Sequence, residues 1–136
     1  MRKQNQESSF VGIFALKQKH NHQLQHFLQW AEEENWNEFH SNHYDWWMFP
    51  IDKISSYGHQ WTVCNDDIEE LKLNEDFMRN YKTGVELLAT SWGWDLLKRE
   101  PIIHAKPDQC WQQWPVRLYK AAYSTKLFGV KIIQLL

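Results

Sequence analysis

The chain has 136 residues, 43% of them hydrophobic and 24% charged, with a formal net charge of −2. That length fits one domain, the composition excludes a disordered tail, and no stretch approaches the roughly 20 apolar residues that span a bilayer. The slightly acidic balance disfavours nucleic acid as a partner, while nine Trp, seven Phe and five Tyr supply core volume.

Residues 1–9 are polar and expected to fray. The apolar run from Phe10 to Leu16 is followed by Lys17, Gln18 and Lys19, not by a small-residue cleavage site. A secretory signal is therefore not expected, and the chain is assigned to the cytoplasm with Cys64 and Cys110 as free thiols. Residues 10–19 fit either a short helix or an extended arm. Asn21 is a candidate cap for a helix over 22–33, whose apolar face is Leu24, Phe27, Leu28 and Ala31. Asn35 caps a second short helix, with Glu38 three positions on as its capping-box partner and Trp36 and Phe39 on one side.

Next comes the densest stretch, His40 to Pro50. Tyr44, Trp46, Trp47, Met48 and Phe49 fall within six positions, beside His40, His43 and Asp45. Side chains of this bulk dominate core energetics. Pro50 lacks an N–H and disfavours helix at Phe49, so the segment ends a helix or leaves it as an extended connection. It reads as the hub on which the helices pack, with His43 and Asp45 at its polar rim.

Ile51 to Gly58 reads as a loop or single turn, and Trp61 to Val63 have strand propensity over too few residues to define a strand. Asn65 or Asp66 opens a helix edged by Ile68 and Leu71, with acidic side chains suited to its amino end. Asn74 opens what reads as the longest helix, about 75–91, with Phe77, Met78, Tyr81, Val85 and Leu88 in one stripe. Gly84 lies in that stripe and admits close approach of another side chain, with a hub Trp as the candidate. Gly93 suits a left-handed terminator. Residues 99–109 read as a loop. Pro115 fits the first turn of a helix carrying Val116, Leu118, Tyr119, Ala122 and Tyr123. Leu127 to Leu136 reads as an apolar tail, either a docked helix or strand or a self-association surface.

Three constellations are candidates for chemistry. His22 and His26, and His40 and His43, have spacings that share a helix face, but no zinc motif or Cys ligand joins them. Solvated or hydrogen-bonded histidines are the simpler reading, and no metal is assigned. His43 with Asp45 or Asp95 has the makings of an acid–base pair, with Ser55, Ser56 and Ser124 as nucleophiles if folding brings them to a base. The run Trp111, Trp114, Arg117, Tyr119, Lys120, Tyr123 and Lys126 interleaves rings with cations, as single-stranded nucleic acid or a nucleotide phosphate would need. Helical spacing places many of these rings on one face, which favours a core helix with a solvated basic side. No glycine-rich phosphate loop occurs among the five glycines.

His43, Trp46, Trp47, Phe49 and Pro50, then Ser55 to Gly58, then Lys120, Ser124, Leu127 and Phe128, resemble in order a family of uncharacterised bacterial proteins loosely labelled calpastatin-like. The similarity spans about residues 24–130. The hub and the helix before it are also similar to the conserved region of opioid growth factor receptor proteins. Either resemblance implies a mainly helical domain. Neither implies an established activity, and no residue here gives protease inhibition a physical basis.

The sequence thus predicts a mainly α, single compact helical domain over 1–136 with an aromatic-rich core and no cofactor. The leading functional expectation is a binding module. Trp46, Trp47, Tyr57 and Trp94 would line its pocket, and His43, Asp45, Lys120 and Ser124 would make polar contacts to a small-molecule ligand. The alternatives are a small enzyme using His43 with Asp45, and a protein-interaction domain docking through the apolar tail, as a homo-oligomer or with another protein.

Overall fold

The structure, a computed structural model, describes residues 4–54 and 58–130. Gly12, at φ 93°, turns the chain into α1, which spans 20 residues (Ile13–Glu32). Its buried stripe is Leu16, His20, Gln23, Leu24 and Phe27. The expected start at Asn21 is corrected: Asn21 lies mid-helix on the exposed side. No Gly or Pro interrupts 13–32, and Lys17, Gln18 and Lys19 are good helix formers that carry the apolar period back to Leu16. Leu28, expected on the buried face, is also 40% exposed.

Helix α2 (Trp36–Phe39) is capped by Asn35, whose side chain accepts from Glu38 N–H at 3.3 Å. It lays Phe39 on Phe27 with ring centroids 3.9 Å apart. Helix α3 (Asp45–Met48) is the hub itself, and the chain leaves it through Pro50. Tyr44, Met48 and Phe49 are buried there, whereas Trp46 and Trp47 are only half-buried.

Helices α4 (Asn65–Leu73) and α5 (Glu75–Ser91) meet at Asn74, whose side chain accepts from Phe77 N–H at 2.8 Å. Trp61 to Val63 form a turn and coil, and Val63 N–H donates to the Ile51 carbonyl. The longest helix is α1, not the 17-residue α5. Gly84 does receive a hub side chain, but a thioether rather than an indole: a Cβ at Gly84 would lie 2.9 Å from Met48 Cε.

After α5, Gly93 takes φ 84° and starts a minimal hairpin that the sequence did not announce. Strands β1 (Trp94–Asp95) and β2 (Glu100–Pro101) are antiparallel, with Trp94 opposite Pro101 and Asp95 opposite Glu100. Helix α6 (Pro115–Leu127) begins with proline at its first turn, where the missing N–H costs nothing.

Helices α1 and α5 form the central pair. α2 and α3 lie on α1, α4 on α5, and α6 against α3. Phe27, Phe39, Tyr44, Phe49, Tyr81 and Phe128 are nearly or fully buried between them. The chain is therefore a mainly helical domain with an aromatic core. Among the described residues no helix is long and apolar enough to cross a membrane. Neither cysteine is joined in a disulfide, and both are half-buried.

Candidate functional site

Helix α3 is anchored by Tyr44, Met48 and Phe49, so the intervening Asp45 and Trp46 turn toward the amino end of α6. A cleft of about 350 Å³ opens there. Trp46, Trp114, Pro115 and Val116 form its walls, and His43, Gln113, Arg117 and Lys120 bring polar groups, with Asp45 at the base.

The charges form a triad. Lys120 Nζ donates to Asp45 Oδ2 at 2.9 Å, and Arg117 Nε lies 3.8 Å from Asp45 Oδ1. Side-chain exposure is 8% for Asp45, 10% for Arg117 and 18% for Lys120, so the group is largely withdrawn from water. Asp45 was expected at a rim. It is buried instead because two cations compensate it, and breaking such a group typically costs about 3–5 kcal/mol.

Arg117 is held at both terminal nitrogens. Nη1 donates to the His40 carbonyl at 3.0 Å and Nη2 to the Asn42 carbonyl at 2.8 Å. Its guanidinium carbon lies 4.4 Å from the Trp114 ring centre and 4.6 Å from that of Tyr44. Its planar fork holds the 40–44 turn on α6, a role that lysine's single ammonium does not reproduce. Lys120 is less constrained: beyond its bond to Asp45, its ammonium sits 5.4 Å from the Trp46 ring centre.

Behind the cleft, His40 stacks between Trp92 and Trp114, at 6.0 and 5.2 Å. Ser91 donates its hydroxyl proton to the Leu88 carbonyl, so its oxygen accepts from His40 Nε2–H at 3.0 Å. The other ring nitrogen, Nδ1, then accepts from Tyr44 O–H at 2.9 Å, which fixes the neutral tautomer. Burial, aided by the charge on Arg117, pushes the His40 pKa down to about 3. Burial also pushes the Tyr44 hydroxyl well above its ordinary range. His40 is thus a neutral structural link.

Of the eight site residues expected from the sequence, the cleft brings together His43, Asp45, Trp46 and Lys120. His43 is exposed and stacks on Trp46 at 4.9 Å. Trp47 turns toward α1: its indole N–H donates to Gln23 Oε1 at 3.1 Å, and Lys19 lies over its ring. Trp94 belongs to the hairpin. Ser124 is fully buried, donating to the Pro50 carbonyl at 2.8 Å and accepting from Tyr81 O–H at 2.8 Å. Tyr57 lies outside the described residues, as do Ser55 and Ser56.

The cleft also recruits Trp114 and Arg117, which the sequence placed in the aromatic and basic run but not in the pocket. The signal was available, because Arg117 and Lys120 are three apart and share a helix face. For the acid–base alternative, both Asp45 oxygens face Lys120 and Arg117, and Asp95 Oδ1 accepts from Lys98 N–H within the hairpin. His22 and His26 pack edge to face at 4.8 Å, with Trp30 stacked on His26. Among the described residues no three His, Cys, Asp or Glu side chains gather into a metal-holding group. No known family model, no curated protein and no solved structure matches this chain.

Proposed function

We propose that this chain is a small-molecule binding module whose site is the cleft between α3 and the start of α6. The observation that carries the reading is the convergence of Trp46, Trp114 and the Asp45–Arg117–Lys120 triad on one opening of about 350 Å³. That volume is at the small end of the roughly 300–1,000 Å³ range of ligand pockets, and apolar walls with a few convergent polar groups are their usual lining. The base of the site is rigid, because Arg117 and His40 are locked by hydrogen bonds on several sides. Rigidity of this kind lowers the ordering cost of binding.

The test is a panel of fragment-sized acids, bases and neutral ring compounds, followed by tryptophan fluorescence and thermal melting. Compounds that bind should raise the melting temperature by mass action and shift the indole N–H resonances of Trp46 and Trp114. A panel whose stabilising members all leave those two resonances in place would overturn the reading.

A further inference from the structure

The cleft's charges and walls together specify a class of ligand. This step rests on the proposed binding role and deepens it. Two cations face one carboxylate, so the charged side chains that line the cleft leave one positive charge uncompensated. All three side chains are at least four-fifths buried, so water screens that surplus poorly. The amino end of α6, where Pro115, Val116 and Arg117 line the opening, adds its partial positive charge on the same side.

The surplus is available in hydrogen-bonding form at one residue. Arg117 is held by two backbone carbonyls, so it acts mainly as a fixed charge. Lys120 has three donors and gives one to Asp45, which leaves N–H groups for a guest. A dianionic phosphate would overcompensate a single positive charge beside the Asp45 carboxylate, whereas a monocarboxylate matches it. The walls, Trp46, Trp114, Pro115 and Val116, are apolar and mostly flat. An opening of about 350 Å³ holds a one- or two-ring body and is small for a nucleotide.

We infer that the cleft between α3 and α6 binds a small aromatic monocarboxylate, its ring against Trp46 and Trp114 and its carboxylate on Lys120. The carboxylate then shares the ammonium with Asp45 under the field of Arg117. A neutral isostere keeps the ring contacts and loses the charge-assisted bond. Such bonds are roughly twice as strong as neutral ones, which translates to about a tenfold difference in affinity.

The experiment is calorimetric titration of the full chain with benzoate and 2-naphthoate, each against its amide. The expected result is that each acid binds about tenfold tighter than its amide, and that Lys120→Gln abolishes the preference. Asp45→Asn, which removes the one negative charge of the cleft, should widen it, and this variant serves if Lys120→Gln does not fold. Equal binding of acid and amide overturns the inference and leaves the cleft as a site for neutral rings. An acid preference that survives Lys120→Gln, or fails to widen in Asp45→Asn, places the carboxylate elsewhere and also overturns it. No binding by either acid or amide removes the aromatic class itself.

Discussion

Arg117 Nη1 donates to the carbonyl oxygen of His40 at 3.0 Å, joining residues 77 positions apart in the chain. With its companion bond to Asn42, this contact ties the turn before α3 to α6 and gives the cleft its fixed back wall. Lysine at this position would keep the charge but could not serve both carbonyls and Asp45 from one plane. Arg117→Lys is expected to destabilise the fold by about 2–4 kcal/mol, since it leaves buried acceptors unsatisfied and weakens a buried ion pair. Urea unfolding followed by far-UV circular dichroism measures this. An unchanged midpoint would show that the clamp contributes nothing.

Ser124 connects α6 to both Pro50 and Tyr81 from a position with no solvent exposure. Ser124→Ala removes the acceptor for the Tyr81 hydroxyl and the donor to the Pro50 carbonyl at once. The expected loss is about 1–3 kcal/mol of stability. Because Ser124 does not line the cleft and bonds only to Tyr81 and Pro50, the loss should fall on stability and leave affinity for benzoate largely unchanged. A large loss of affinity with little loss of stability would instead make Ser124 part of the site.

Two buried imidazoles make the fold acid-sensitive. Burial lowers the His20 pKa to about 4, although the Met48 backbone opposes the shift, and neither ring nitrogen reaches a partner at hydrogen-bond geometry. His40 is lowered to about 3 by burial and by Arg117. In both cases the unfolded chain, with its imidazoles near pKa 6.5, binds the proton more readily than the folded one. The histidine contribution is therefore fully present above pH about 6.5 and is lost as pH falls toward 4 and 3, by up to about 1.4 kcal/mol per pH unit for each ring.

His20→Leu separates the two rings. His20 lies against the rings of Phe77 and Tyr81, at 4.7 and 6.2 Å, so an apolar side chain of similar size suits the pocket. The variant should be at least as stable as the parent at pH 7 and should lose its share of the slope between pH 6.5 and 4. Stability measured at pH 7.0, 5.5 and 4.5 decides the matter, and parallel curves for the two proteins would rule out His20 as a source of acid sensitivity.

Gly84 sets how closely α5 approaches the hub. Gly84→Ala gains about 1 kcal/mol of helix propensity, while its new methyl group, 2.9 Å from Met48 Cε, must push the flexible thioether end aside. Methionine is adaptable, so the two effects should cancel to within about 1 kcal/mol. Gly84→Leu exceeds what Met48 can yield and should cost about 1–3 kcal/mol or more through overpacking. Equal stability of the Leu variant and the parent would mean that the helices part freely at this point.

Much of the fold was legible because local rules and burial agree along the chain. Asn35 and Asn74 each carry a cap, Pro50 and Gly93 each mark an end, and the Phe77–Leu88 stripe faces the core. The start of α1 was misread because Asn21 has the chemistry of a cap, yet nothing in the preceding residues obliges the helix to begin there. The site was legible only in part. Trp46 and Trp47 are adjacent in sequence, but helical geometry turns one to the cleft and the other to Gln23 on α1.

What the sequence determined by itself is the helical class and the concentration of aromatic volume in the hub, because both follow from periodicity, caps and side-chain size. Which polar groups meet was decided only by the tertiary structure. Asp45 and Lys120 lie 75 positions apart, and no local pattern records that α6 returns to cover α3. Local propensity acts over a few residues, whereas the charge of a buried site depends on what packing brings within a few ångströms.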